Sequence, residues 1–208
     1  MTGSIMKDNS AEDTHSKRRI LAVAKDLFHQ QGVRATHVHE IVQASGVSRR
    51  DFNRSFRSKQ KLATEVVLAY LVEIESGSSR LYPRLASWSD FKHSLAEHVT
   101  FLNKFNMLRG CPLAIIGNEL TEKDDATREV LSTVFEALTK RMMAFFRKQK
   151  MEGHLSRDAD EQQLAEFCVA VIQGAILVGK VRGESEAVEN VLDEVTDHFQ
   201  QLRLGLSS

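Results

Sequence analysis

Between positions 48 and 54 the chain reads Ser-Arg-Arg-Asp-Phe-Asn-Arg. A guanidinium is a planar fork of donors that fits the O6/N7 edge of guanine, a carboxamide fits the N6/N7 edge of adenine, and hydroxyls serve phosphate oxygens. Arg49, Arg50, Asn53 and Arg54, with Ser48 before them, therefore form a nucleic-acid-reading set if one helix face presents them together. Asp51 has two readings: it accepts from cytosine, or it pairs with Ser48 three residues earlier to cap the helix, and the spacing favours the cap. Lys59 opens the next helix, where its charge and the free backbone N–H groups of the helix end both suit a phosphate. Thr36 completes the set at the start of the preceding helix, which its hydroxyl can cap.

Such residues read DNA only when a rigid platform holds them. Ile20, Val23, Ala24, Leu27 and Phe28 recur at three-to-four spacing and predict a helix over 16–31, stopped by Gly32. Val38, Ile41 and Val42 predict a short second helix ending at Gly46, where the turn needs positive φ. Phe52 and Phe56, four apart, give the third helix an apolar face and leave its polar residues to point outward. Two short helices joined by a glycine-centred turn and braced by a longer one make a helix-turn-helix, whose second member enters the major groove. A fourth helix from Ser58 closes a DNA-binding domain spanning 14–74.

The remaining 75–208 read as a second helical domain. Helices are expected over 89–105, 112–120, 124–151 and 158–182, the last opened by Asp158 with Glu161. A final one starts at Ser185 and carries Val188, Val191, Leu192, Val195, Phe199 and Leu202 as its stripe. The fold class is all-α, with about nine helices and no strands.

At 208 residues and 42% hydrophobic content the chain can bury one large core or two smaller ones. Its net charge of zero hides a split: residues 1–61 carry +6 and the remainder −6, a basic head on an acidic body. No phosphate loop, nucleophile elbow, metal motif or paired-carboxylate site is apparent, so neither an enzyme nor a cofactor is expected. His37 and His39, two apart on a helix, should point to different faces, which is poor geometry for a shared metal, and no metal site is expected. No apolar run reaches the roughly 18 residues of a membrane span and the polar start lacks a secretory signal, so a cytoplasmic protein without a membrane partner is expected. Cys111 and Cys168 lie far apart and read as free thiols. The alternative function class is a non-catalytic helical adaptor using the head for protein contacts, which the basic head and outward arginines disfavour.

The stretch SKRRILAVAKDLFHQQGVRATHVHEIVQASGVSRRDFNRSFRSKQKL resembles the TetR/AcrR family of repressors, with their opening ILxAAxxLFxxxG, their TxxxIAxxAGVS turn and their closing FxxK. Ile20, Leu27, Phe28, Gly32, Thr36, Ile41, Gly46, Val47, Ser48, Phe56 and Lys59 all fall on that pattern. The family usually has tyrosine where Asn53 stands, often histidine where Ser55 stands and commonly glycine where Arg50 stands, so the resemblance carries the mode of DNA reading and not the operator sequence.

The resemblance implies a homodimer on palindrome-like double-stranded DNA, with recognition helices one turn of duplex, about 34 Å, apart. It places the pairing in the last two helices, where Gly174 allows close approach and Val188, Val191, Leu192, Val195 and Phe199 give an apolar face. It also implies a small-molecule effector, bound in the body, that releases the operator. Trp88, Phe101, Phe105, Met107 and Asn118 are candidates for the effector cavity, together with Met142, Phe145, Phe146 and Phe167. The segment GCPLAIIGNEL is similar to one branch of the family, in which some members sense electrophiles or oxidants through this cysteine. Cys111, beside Arg109 and just before Pro112 at a helix start, is then a second candidate switch and cavity residue; the plain alternative is a small buried cap.

Overall fold

The computed structural model describes the backbone of residues 3–203 and, outside 3–11, 187, 200, 202 and 203, their side chains. The expected stripe residue Leu202 lies outside the described side chains. The described residues form nine helices and no strand: α1 Gly3–Ala35, α2 Val38–Ser45, α3 Arg49–Phe56, α4 Lys59–Ser76, α5 Trp88–Lys104, α6 Pro112–Asn118, α7 Asp125–Met151, α8 Glu161–Arg182 and α9 Glu186–Arg203. The all-α expectation holds. Two details differ. α1 starts well before residue 16, and the cap of α8 is Asp160 rather than Asp158, since Asp160 directly precedes the first helical residue and its carboxylate accepts the N–H groups of Gln162 and Gln163 at 2.9 and 3.0 Å.

The chain divides into two compact units, one of residues 1–69 with 112–131, the other of 70–111 with 132–208. In the first, α1 packs on α2, α3 and α6. Its core is the stripe read from the sequence: Ile20, Ala24 and Phe28 of α1, Ile41 of α2, Phe52 and Phe56 of α3, and Leu62 and Val66 of α4 are all buried. Each such phenylalanine contributes about 1.5–3 kcal/mol by leaving water. Gly46 ends α2 in the left-handed region, φ 61° and ψ 29°, the conformation the turn into α3 demands. Gly32, at φ 83° and ψ 168°, interrupts α1, and a Cβ there would collide with the Glu119 carboxylate.

In the second unit α9 packs on α8 and α5. An aromatic cluster fills its interior: Phe91 stacks on Phe145 at 5.5 Å, and Trp88 meets Phe145 edge-on at 5.1 Å and Phe199 at 6.1 Å. By length and composition α8 is apolar enough to cross a bilayer, which the search for an unbroken apolar run missed because Glu166 and Lys180 interrupt it. Ala165, Cys168, Ala175, Ile176 and Gly179 of this helix are buried, while Phe167, Leu177, Val178 and Val181 are exposed.

Candidate functional site

α3 is short and held from both ends. Ser48 caps it: its hydroxyl accepts the Asp51 N–H at 3.1 Å and donates to the Asp51 carboxylate at 2.5 Å. That bond, with Arg54 and Arg50 nearby, holds the Asp51 carboxyl below its usual range. Asp51 is therefore engaged with the cap residue, Ser48. Phe52 and Phe56 pin the helix to the core, so the opposite face is outward: Ser48, Arg49, Arg50, Asn53 and Arg54 are exposed. The structure brings these five onto one surface. Arg54 differs from its neighbours in being ion-paired to two acids, Asp13 of α1 and Asp51 at 2.8 Å.

Two expected members are bonded to backbone carbonyls, and one of them, Thr36, faces inward. Thr36 is fully buried, its hydroxyl donating to the Gly32 carbonyl at 2.6 Å, and the cap of α2 is His37, whose backbone N–H donates to Glu40 at 2.6 Å. Lys59 donates from Nζ to the carbonyls of Arg34, 3.1 Å, and Thr36, 2.8 Å, so its ammonium ties α4 to the connection before α2. Both corrections have one cause: the break of α1 at Gly32 leaves carbonyls that need donors. The rings of His37 and His39 stack at 5.6 Å rather than pointing apart, because His37 is extended and outside the helix.

Sequence reasoning missed Arg57. It sits at φ 60° between α3 and α4, where the Ser58 N–H donates to the Phe56 carbonyl at 2.6 Å across a three-residue turn, and it is exposed. A cation between the end of the third apolar pair and Lys59 was the available signal.

The second unit contains a cavity of about 610 Å³, bounded by parts of α4, α5, α7 and α8 and by the 81–85 segment. Met142 and Phe145 of the expected set line it. The others are elsewhere. Trp88 and Phe146 belong to the aromatic cluster around Phe199. Phe101 packs edge-on against Phe105 at 5.2 Å, with Arg109 over the Phe105 ring at 4.2 Å. Met107 is buried beside Gly179, Asn118 lies in the first unit, and Phe167 is exposed next to His198. Cys111 is buried, its sulfur 3.2 Å from the Tyr82 hydroxyl, and Tyr82 is a cavity wall. Tyr82 itself is held neutral: burial pushes its phenol well above the usual range.

Polar groups of the wall went unread, among them Tyr82, His98, Arg141 and Gln173. Burial lowers the His98 pKa, and its Nδ1 lies 2.8 Å from the Ser94 carbonyl, so the ring is neutral and donates there. Arg141 was legible as a cation on the apolar stripe of α7, three residues after Leu138 and four before Phe145.

The expected pairing residues divide likewise. Val188, Leu192, Val195 and Phe199 are buried within the protomer, because α9 uses that stripe against α8 and α5. Gly174 is exposed with open space before it, and Val191 borders a groove with Phe167, Val171 and His198.

A family model described as bacterial regulatory proteins, tetR family, matches residues 20–66, and one described as tetracyclin repressor-like, C-terminal domain, matches residues 91–195. The HTH-type transcriptional repressor DhaR of Mycobacterium sp. (strain GP1) is 22% identical over 187 residues, 88% of this chain and 91% of its own. The regulatory protein TetR from Rhodobacter sphaeroides has the same fold, with a TM-score of 0.77 at 23% identity, covering 88% of this chain and 97% of that one. A cysteine mutant of the TetR family transcriptional regulator CifR, solved with 26-base-pair double-strand operator DNA, aligns with a TM-score of 0.71 at 20% identity over 88% of this chain and 95% of its own.

Proposed function

We propose that this chain, which belongs to the TetR family of bacterial regulatory proteins, is a homodimeric repressor that reads a palindrome-like duplex with α3 and is released by a small molecule held in the second unit's cavity. The observation that carries the reading is the outward face of α3: Arg49, Arg50, Asn53 and Arg54 exposed together while Phe52 and Phe56 anchor the opposite side. Arg49, Arg50 and Asn53 read base edges, and Arg54 and Arg57 meet phosphates. Lys59 and Thr36 act by holding the platform. The CifR complex supports duplex DNA as the partner, and the name of DhaR supports repression.

The exposed apolar residues of α8 support the dimer. Leu177, Val178 and Val181 are exposed with the bare Gly174, and Phe167, which meets His198 of α9, is exposed beside them. A second copy of α8 and the Val191 edge of α9 would bury them. Effector release works through population: Arg141 of α7 donates to the Ile74 carbonyl in the last turn of α4, so a ligand beside Arg141 favours one placement of that turn over another.

Selection of bound fragments from random duplexes, followed by gel shift at two salt concentrations, tests the reading. A palindrome-like site bound with affinity that falls steeply as salt rises is expected. Failure to enrich any duplex, or binding indifferent to loss of Arg49 and Arg50, overturns it.

A further inference from the structure

Arg141 places a guanidinium inside the second unit. Nη1 donates to the carbonyls of Ile74 at 2.6 Å and Tyr82 at 2.8 Å, which fixes the plane of the group. Nη2 is buried and has no hydrogen-bond partner. No carboxylate among the described residues forms an ion pair with this guanidinium, and burial, with the like charge of Arg84, lowers its pKa. The residue as a whole is half-buried, but a covered guanidinium N–H without an acceptor or counter-ion is an unfavourable state that proteins rarely keep.

Basic residues outnumber acids in the rest of the wall. Besides Arg141 it holds Arg84, Lys140 and Lys148 and one carboxylate, Glu75, although Lys140 pairs with Glu136 at 3.5 Å and Lys148 with Glu152 at 3.7 Å. Around these charged groups the wall is apolar, with Phe91, Leu95, Leu138, Phe145 and Ile172 among its residues. On α8, Gln173 adds a second buried polar atom without a partner, Oε1. An amphipathic acid matches such a wall: a carboxylate oxygen takes the free Nη2–H, and a hydrocarbon or aryl body packs on the apolar residues.

Resting on the reading of the cavity as an effector site, we infer that its ligand is an organic carboxylate whose anionic end is held by Arg141 and whose body is apolar. Neutral and cationic molecules of the same shape leave the guanidinium unpaired and bind less well. The same group bonds the end of α4, so the anion is placed where it changes what holds that helix.

Calorimetric titration of the full chain with matched sets decides the matter: 4-phenylbutyrate, benzoate and decanoate, each against its primary amide and its amine. At least one acid is expected to bind about tenfold or more tighter than its amide, the scale of one charged hydrogen bond. R141M should erase that preference and R141K, which keeps the charge, should retain part of it. Melting and operator binding without ligand show whether each variant is folded; if R141M is not, the wild-type ratio and R141K decide. Acids that bind no better than their amides, or a preference unchanged in a folded R141M, overturn the inference while leaving operator binding intact. Loss of operator binding in the wild type instead overturns the regulator reading itself.

Discussion

Glu119 holds Arg34 twice across 85 residues of chain: its carboxylate accepts the Arg34 backbone N–H at 2.8 Å, and its own carbonyl accepts the Arg34 guanidinium at 3.1 Å. The N–H needs this acceptor because α1 breaks at Gly32, two residues earlier. The segment after α6 thus repairs a helix interruption in the first unit.

Removing the clasp should be measurable. Glu119→Ala is expected to lower stability by about 1–2 kcal/mol through the unsatisfied N–H, and Gly32→Ala by more, since it puts a Cβ on a backbone already at positive φ and against that carboxylate. In the double variant the collision disappears, so the two effects should sum to less than their separate values in denaturant melts. Strict additivity would show that Gly32 and Glu119 do not meet.

Acid should act in two stages. Burial lowers the His98 pKa below its ordinary value of about 6.5, so the unfolded chain binds this proton first and stability falls as pH drops below that value. The Asp90 carboxyl, accepting the N–H groups of Ala86 and Ser87, is held below its usual range. Its contribution is complete above the unfolded carboxylate value of about 4 and is lost as pH falls through the lower folded one. In melts across pH 7 to 3, His98→Gln should remove the upper stage and Asp90→Asn the lower; a His98→Gln profile identical to wild type would refute a buried neutral ring.

Both thiols should be slow. Cys168 is buried and its pKa is pushed up to about 12 by that burial, and Cys111 is enclosed against Tyr82. Native protein should resist iodoacetamide, with labelling of both sites only on unfolding. Rapid native labelling confined to Cys111, mapped by mass spectrometry, would instead support modification of this residue as the releasing signal.

Val181 is 78% exposed on the apolar side of α8. Val181→Glu should therefore leave the protomer folded yet shift it to a monomer in sedimentation, with operator affinity falling about a hundredfold or more as half of the duplex contacts are lost. A dimer unchanged by Val181→Glu and Leu177→Glu together would place the pairing elsewhere.

Periodicity made the elements legible: Ile20, Ala24 and Phe28, or Phe91 and Leu95, announce buried helix faces by spacing alone. The outward face of α3 followed from the same rule, since fixing Phe52 and Phe56 inward leaves Arg49, Arg50 and Asn53 outside. The burial of Thr36 and the carbonyl bonds of Lys59 were not legible because their acceptors, the Gly32, Arg34 and Thr36 carbonyls, arise from a helix break that no pattern of side chains records. Among the aromatics, composition could not separate wall from core: Phe145 reaches the cavity while Phe146, its neighbour, is sealed in the cluster. The most informative wall residue, Arg141, was a charge at an apolar register position, a violation that spacing displays and that was open to reading.

Arg54 already has anions beside it, Asp13 and Asp51. On the proposed reading, a generic stretch of duplex, offering only its backbone charge, would compete with those two acids for the guanidinium, whereas a cognate stretch would bring base-edge bonds from Arg49, Arg50 and Asn53 as well. Residence on non-cognate sequence would be shortened accordingly, and the search along a chromosome kept from stalling between sites.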